Sequence, residues 1–396
     1  MLSSFLTTVS VFLPLSFLAG ELGAVLQVLP IVLIATLAAS LIEAFLILPH
    51  HLKGSVNSLQ GASGSRLRRG FERGFAAFRE RVGRVADAVI RARYAVLGLV
   101  LLWLIARALP WLALPVWGDA LLAAAFPLAL AWSLRRPLWN GPNPVNRVFL
   151  LLLGGMTVAA AWSHLSAAGA VPAGLLDADS LMLGLVLITL LIVSGRVLPF
   201  FTKAAINDAE PKSHQWLEVT TFVAAGAWLT ADLISPWPAL KAITALAFAL
   251  SLVARLSGWH DRRAWRIPIL AVLYAGALWL MLGLILDAGA ELGLMAPNVA
   301  LHALTAGAIG VFTLGMMVRV TLGHTGRAMV SPPSMTAAFV AINLAALVRV
   351  AFPLLWPAHY NSWMLLSGLL WSGAFAAFLV VIGPMLLAAR VDGRPI

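Results

Sequence analysis

Apolar residues run along this chain in stretches of about twenty, broken by short polar clusters. A helix of about 20 apolar residues crosses ~30 Å of hydrocarbon. The pattern predicts about twelve spans, near 2–19, 25–48, 94–114, 119–134, 147–168, 180–199, 216–234, 239–257, 267–287, 298–319, 334–355 and 362–388. The fold it implies is all-α, a polytopic transmembrane helix bundle. The stretch at 119–134 is the shortest of these.

The polar clusters assign sides. The connection 49–93 carries Lys53, Arg66, Arg68, Arg69, Arg73, Arg79, Arg81, Arg84, Arg91 and Arg93. Such a segment stays in the cytoplasm. Every second connection after it is basic too, with Arg135, Arg136 and Arg147, then Lys203 and Lys212, then Arg262, Arg263 and Arg266, then Arg327, and Arg390 and Arg394 in the tail. The alternate connections carry Asp177, Asp179, Asp287 and Glu291, with Lys241 as the exception. Both termini are therefore expected in the cytoplasm. Within 49–93, Phe71, Phe75, Phe78, Val82, Val85 and Val89 recur at helical spacing between arginines, the pattern of a helix lying on a membrane surface.

Composition agrees. The chain has 396 residues, 61% of them hydrophobic and 11% charged, too few charges for a soluble domain of this length. The net charge of +11 sits in the loops, as insertion into a bilayer requires, so nucleic-acid binding is not expected. The first apolar run has no basic residue ahead of it, and the first basic residue is Lys53, so it does not read as a secretory signal. The absence of cysteine excludes disulfides, thiolate-ligated haem, iron–sulfur clusters and covalently attached haem. A metal would need His, Met, Tyr or carboxylate ligands.

Two segments carry resemblances. Val11-Phe-Leu-Pro-Leu-Ser-Phe-Leu-Ala-Gly20 and Leu41-Ile-Glu-Ala-Phe-Leu-Ile-Leu-Pro-His-His-Leu52 make residues 1–93 resemble two helices and a surface helix of an RND efflux permease. The large extracytoplasmic domains and the proton-relay aspartates of those permeases have no counterpart here, so drug export is not expected. From residue 94 to 396 the chain resembles the NnrS family. The resemblance rests on His302-Ala-Leu-Thr-Ala-Gly-Ala-Ile-Gly310, on Thr313, Met316, Met317 and Arg319, and on Thr321-Leu-Gly-His-Thr-Gly-Arg327. It rests also on Gly195-Arg-Val-Leu-Pro-Phe-Phe-Thr202, with weaker support from Leu101–Arg107, Arg390–Arg394 and His164. It implies an inner-membrane protein of the nitric-oxide and nitrosative stress response that contains haem and copper and meets nitric oxide or another small ligand. The family's opening helices, with a His-rich stretch, are replaced here by the RND-like segment.

The polar residues inside the spans fall toward two faces. On the outer side stand Arg107, Asp119, His164, Asp232, Asp287, His302 and Arg349, with His359 in a loop. Arg107 and Arg349 are expected to pair either with a carboxylate such as Asp119, Asp232 or Asp287, or with a haem propionate. His164 and His302 are the expected haem or copper ligands, weighed against ordinary hydrogen-bonded intramembrane histidines. On the inner side stand Arg196, Thr202, His214, His260, Arg319, His324 and Arg327. Arg196 and Arg319 read either as cations reaching out to headgroups or, with His324 and Arg327 of the Gly-His-Thr-Gly-Arg turn, as part of a polar pocket. His302 and His324 lie roughly 33 Å apart along one helix at ~1.5 Å per residue, so they cannot share a metal. Gly307, Gly310 and Gly315 read as close helix packing. Two further readings stay open: a transmembrane transporter, of the RND or another kind, and an inactive fusion that lacks the family's His motif. Nothing in the residues names a reaction.

Overall fold

The computed structural model describes residues 98–99, 101–105, 115–388 and 390–392. The expected spans at 2–19 and 25–48, most of the span at 94–114, Arg107, and the RND-like portion lie outside those residues. The remaining nine expected spans are all found as helices long and apolar enough to cross a membrane. They are α1 (Val116–Trp139), α2 (Val148–Ala167), α3 (Ala178–Ala205), α4 (Gln215–Ile234) and α5 (Pro238–Trp259), then α6 (Pro268–Glu291), α7 (Pro297–His324), α8 (Pro333–Leu355) and α9 (Tyr360–Val381). A short α10 follows at Gly383–Leu387. No strand occurs among the described residues.

Local chemistry sets the helix starts. Proline opens α5, α6, α7 and α8, where its missing N–H would be unpaired in any case and its fixed φ suits a first turn. Asp177 opens α3 by accepting a hydrogen bond from the Ser180 backbone N–H at 3.0 Å. The short stretch at 119–134 becomes a full-length helix because α1 continues through Pro127 and Pro137 to Trp139.

The helices pack mainly on their sequence neighbours, as short connections between antiparallel spans require: α1 on α2, α2 on α3, α4 on α5, α5 on α6, α6 on α7 and α8 on α9. α3 also packs on α4 and, across the bundle, on α6. The centre is α7, of which 94% of the most apolar stretch is buried, against 28% for α4. The peripheral helices turn Leu151, Val223, Leu250 and Val380 outward. Exposed apolar surface of that extent belongs against lipid.

α6 and α7 approach closely through glycines on both sides. A Cβ at Gly276 would lie 2.8 Å from the Phe312 Cβ, and one at Gly307 2.7 Å from the Trp279 ring. Small residues that let backbones meet are the usual device for helix association in lipid. At this contact α7 departs from α geometry: Ala303–Ile309 forms a π-helix that starts directly after His302. Such segments recur at functional sites.

Candidate functional site

Contacts between residues distant in sequence fix which helix ends lie together. At one end, called the His324 end, α3, α5 and α7 finish and α6 begins. At the other, the His302 end, α7 begins. Thr202 Oγ1 and Tyr274 Oη lie 2.8 Å apart, joining the finish of α3 to the start of α6. Lys241 Nζ lies 3.5 Å from Asp232 and 3.9 Å from Glu291 at the opposite end. The alternation read from charge is therefore present in the packing. The same contacts explain Lys241, the basic residue on the acidic side: it sits among Asp232, Glu291 and Asp287.

At the His324 end, the segment Gly195–Thr202 is a hub in which each residue meets a different element. Gly195 makes room for Arg255 of α5, whose Nη2 would overlap a Cβ there. Arg255, only 4% exposed, donates through Nε to Glu218 Oε1 of α4 at 2.8 Å and through Nη2 to Glu218 Oε2. Arg196 reaches outward and donates to Asn146 Oδ1 at 2.7 Å. Phe201 lies beneath Arg319 of α7, with the guanidinium carbon 3.5 Å from the ring centroid. Thr202, fully buried, meets Tyr274, whose hydroxyl donates to the Trp259 carbonyl at 2.8 Å.

Two arginines expected to behave alike thus behave differently. Arg196 is exposed and reaches toward the connection between α1 and α2, although α3 runs nine residues beyond it and the expected last-turn position is not found. Arg319 is 6% exposed and does not reach outward. Its Nε and Nη1 are enclosed and have no hydrogen-bond partner among the described residues. The central position of α7 leaves the side chain no path to headgroups. Neither Arg255 nor Glu218 was singled out from sequence. A charged residue inside an apolar stretch was the available signal, but only packing shows that the two meet.

The Gly-His-Thr-Gly-Arg turn does a different job from the hub. Gly326 takes φ +70°, a left-handed conformation that glycine adopts without strain, and its open face is filled by Asp392. The Val391 N–H donates to the Thr325 carbonyl at 3.2 Å, and Arg390 donates to the His324 carbonyl at 3.0 Å while pairing with Asp392 at 2.6 Å. That pairing raises the Arg390 pKa. Arg327 reaches the Met385 carbonyl at 3.4 Å. The turn and the tail motif therefore form one latch. In the loops beside it, Arg263 donates to Asp261 and Asp208, and its hydrogen bonds hold the Asp261 carboxyl down at about 2. His214 and His260 are exposed loop residues, as expected.

At the His302 end the expected outer set separates into groups. His164 stands on α2, half-buried, within electrostatic reach of Asp179 of α3. His302 stands on α7, 6% exposed, within electrostatic reach of Arg349 of α8. α2 packs on α1 and α3, whereas this part of α7 packs on α6 and α8, so the two histidines are not on neighbouring helices. The carboxylates expected opposite Arg349 are engaged or distant: Asp232 faces Lys241, and Asp287 accepts from Trp228 Nε1 at 2.9 Å. Among the described residues no carboxylate pairs with Arg349. Asp119 keeps Oδ1 enclosed and without a partner among those residues, and Arg107 lies outside them. Neither ring nitrogen of His302 makes a hydrogen bond there. Nor does any group of three His, Asp or Glu converge on a common point among the described residues.

A family model described as "NnrS protein" matches residues 77–390, and the chain belongs to that family. The match starts inside the arginine-rich stretch that the sequence reading joined to the RND-like portion, upstream of the boundary placed at 94. No comparison supports an RND permease portion. No curated protein and no solved structure matches the chain.

Proposed function

We propose that this member of the NnrS family is a multi-pass membrane protein of the response to nitric oxide and nitrosative stress, and that it holds haem at the His302 end of α7. Membership of the family supports the physiological role. One observation carries the site. His302 is a buried imidazole with no hydrogen bond to the described residues, on a segment packed against the helix of Arg349, an arginine within its electrostatic reach that no described carboxylate neutralises.

That donor set fits haem. A single imidazole suffices to ligate haem iron, and an arginine inside a membrane domain suits a propionate. Bound haem would supply an iron able to bind a diatomic gas. His302 would ligate, Arg349 would anchor a carboxylate, and the π-helical Ala303–Ile309 would hold His302 at the α6–α7–α8 junction. Copper fits less readily. A site of three His, Asp or Glu ligands would draw on residues outside the described ones. His164, engaged on the α2–α3 side, and His324, in the tail latch, are secondary candidates for a separate metal.

The functional test is growth under a nitric-oxide donor of a host that lacks its own protective protein. Expression of the chain is expected to restore growth, and His302→Ala to remove most of that effect at equal protein level. No protection by the chain, or full protection by the variant, would defeat the proposal.

A further inference from the structure

The guanidinium of Arg319 is permanently charged, nearly fully buried, and makes no hydrogen bond to any described residue. A buried charge left in that state is costly, so something of opposite charge belongs there. The described carboxylates of the same end are committed elsewhere. Glu218 is held by Arg255, Asp261 and Asp208 by Arg263, and Asp392 by Arg390, while Glu210 stands in solvent. We propose that Arg319 anchors a binding site for a small planar oxyanion at the His324 end of the bundle.

The geometry selects the ligand class. Phe201 covers one face of the guanidinium at 3.5 Å. The five N–H donors lie in the guanidinium plane, so with a face closed they point edgewise. A flat acceptor such as a carboxylate, nitrite or nitrate meets two of them through two separate oxygens in parallel bonds, which a single halide ion does not offer. The aromatic floor is fixed, because its neighbour Thr202 is tied to Tyr274 and Tyr274 to the Trp259 carbonyl. A phosphate of a lipid headgroup shares the acceptor chemistry. The central burial of α7 turns Arg319 away from lipid, which favours a free anion entering from the loop side. The site is separate from the proposed haem end, ~25 Å away along α7 at ~1.5 Å per residue.

The test is equilibrium dialysis of the full-length protein, in a zwitterionic detergent, against radiolabelled formate. Saturable binding is expected, displaced by nitrite and nitrate and resisted by equal chloride. Arg319→Gln should weaken it by about tenfold or more, the loss of a charge-assisted pair of hydrogen bonds, with Arg319→Lys in between. Phe201→Leu keeps the charge and loses the aromatic floor. It should weaken binding severalfold even if Arg319→Gln fails to give a monodisperse protein. The proposal is overturned by absence of saturable binding to the wild type, by wild-type affinity in Arg319→Gln or in Phe201→Leu, or by displacement with phosphatidylglycerol alone.

Discussion

Arg255 occupies the space that a side chain at position 195 would need, and it does so to reach Glu218. The glycine of the Gly195–Thr202 signature is therefore a packing requirement set by Arg255, 60 residues away in sequence. Gly195→Ala should displace the guanidinium and lower stability by about 1–3 kcal/mol, the usual penalty for an overfilled core. Gly154 is the control, because nothing lies within 4 Å of a Cβ there. Gly154→Ala is expected to be neutral or to stabilise by a few tenths up to ~1 kcal/mol. Melting of the detergent-purified proteins distinguishes the two.

Removing the carboxylate of the same pair tests the ion pair itself. Glu218→Gln leaves Arg255, 4% exposed, without its counter-charge. Breaking a buried ion pair on one side costs about 3–5 kcal/mol, and the 29% exposure of Glu218 places this case at or below the lower bound. The double variant Glu218→Gln, Arg255→Met should recover part of the loss in the same melting assay. A double variant no better than Glu218→Gln alone would show that the charge pair is not the cause.

The order of the spans was legible in the sequence because hydropathy and loop charge are one-dimensional signals. All nine spans that fall on described residues match, and Lys241 departs from the charge rule for a reason visible only once Asp232 and Glu291 stand beside it. The end of the bundle at which they stand was legible too: His302 and His164 do lie toward the same end. What the sequence could not supply is direction around each helix axis. Arg196 and Arg319 lie toward the same end of the bundle, nine residues before the end of α3 and five before the end of α7, yet one faces out and the other in. The expected pairing of Arg349 with Asp232 or Asp287 fails for the same reason, as those carboxylates turn toward Lys241 and Trp228. The π-helix after His302 carries no signal in composition.

The tail latch gives a structural prediction at the other end of α7. Gly326→Val would force a β-branched residue into φ +70° and against Asp392. The left-handed conformation alone costs about 1–2 kcal/mol. Release of residues 390–392 should follow, with faster proteolytic trimming of the C-terminus and little change in the melting of the bundle. Unchanged trimming would show that the tail is not held by this turn.

The Asp261–Arg263–Asp208 cluster fixes the sign of one pH effect. The Asp261 carboxyl is held at about 2, below its ordinary value of 3.8, by hydrogen bonds from Arg263. A depressed carboxylate contributes its interaction fully above its unfolded pKa and loses it as pH falls through the folded one. Protection of this loop from a protease active in acid should therefore hold from neutral pH down to 4 and weaken only toward 2. Asp261→Asn should remove the protection at every pH.

The measurement that bears most directly on the account is the optical absorption spectrum of the purified full-length protein, expressed with haem supply, beside His302→Ala, Arg349→Gln and His214→Ala. A Soret band is expected in the wild type, lost or shifted in His302→Ala, weakened in Arg349→Gln, and unaltered in His214→Ala, an exposed loop position. A wild type without a Soret band, or a His302→Ala protein with the full spectrum and haem content, would contradict it.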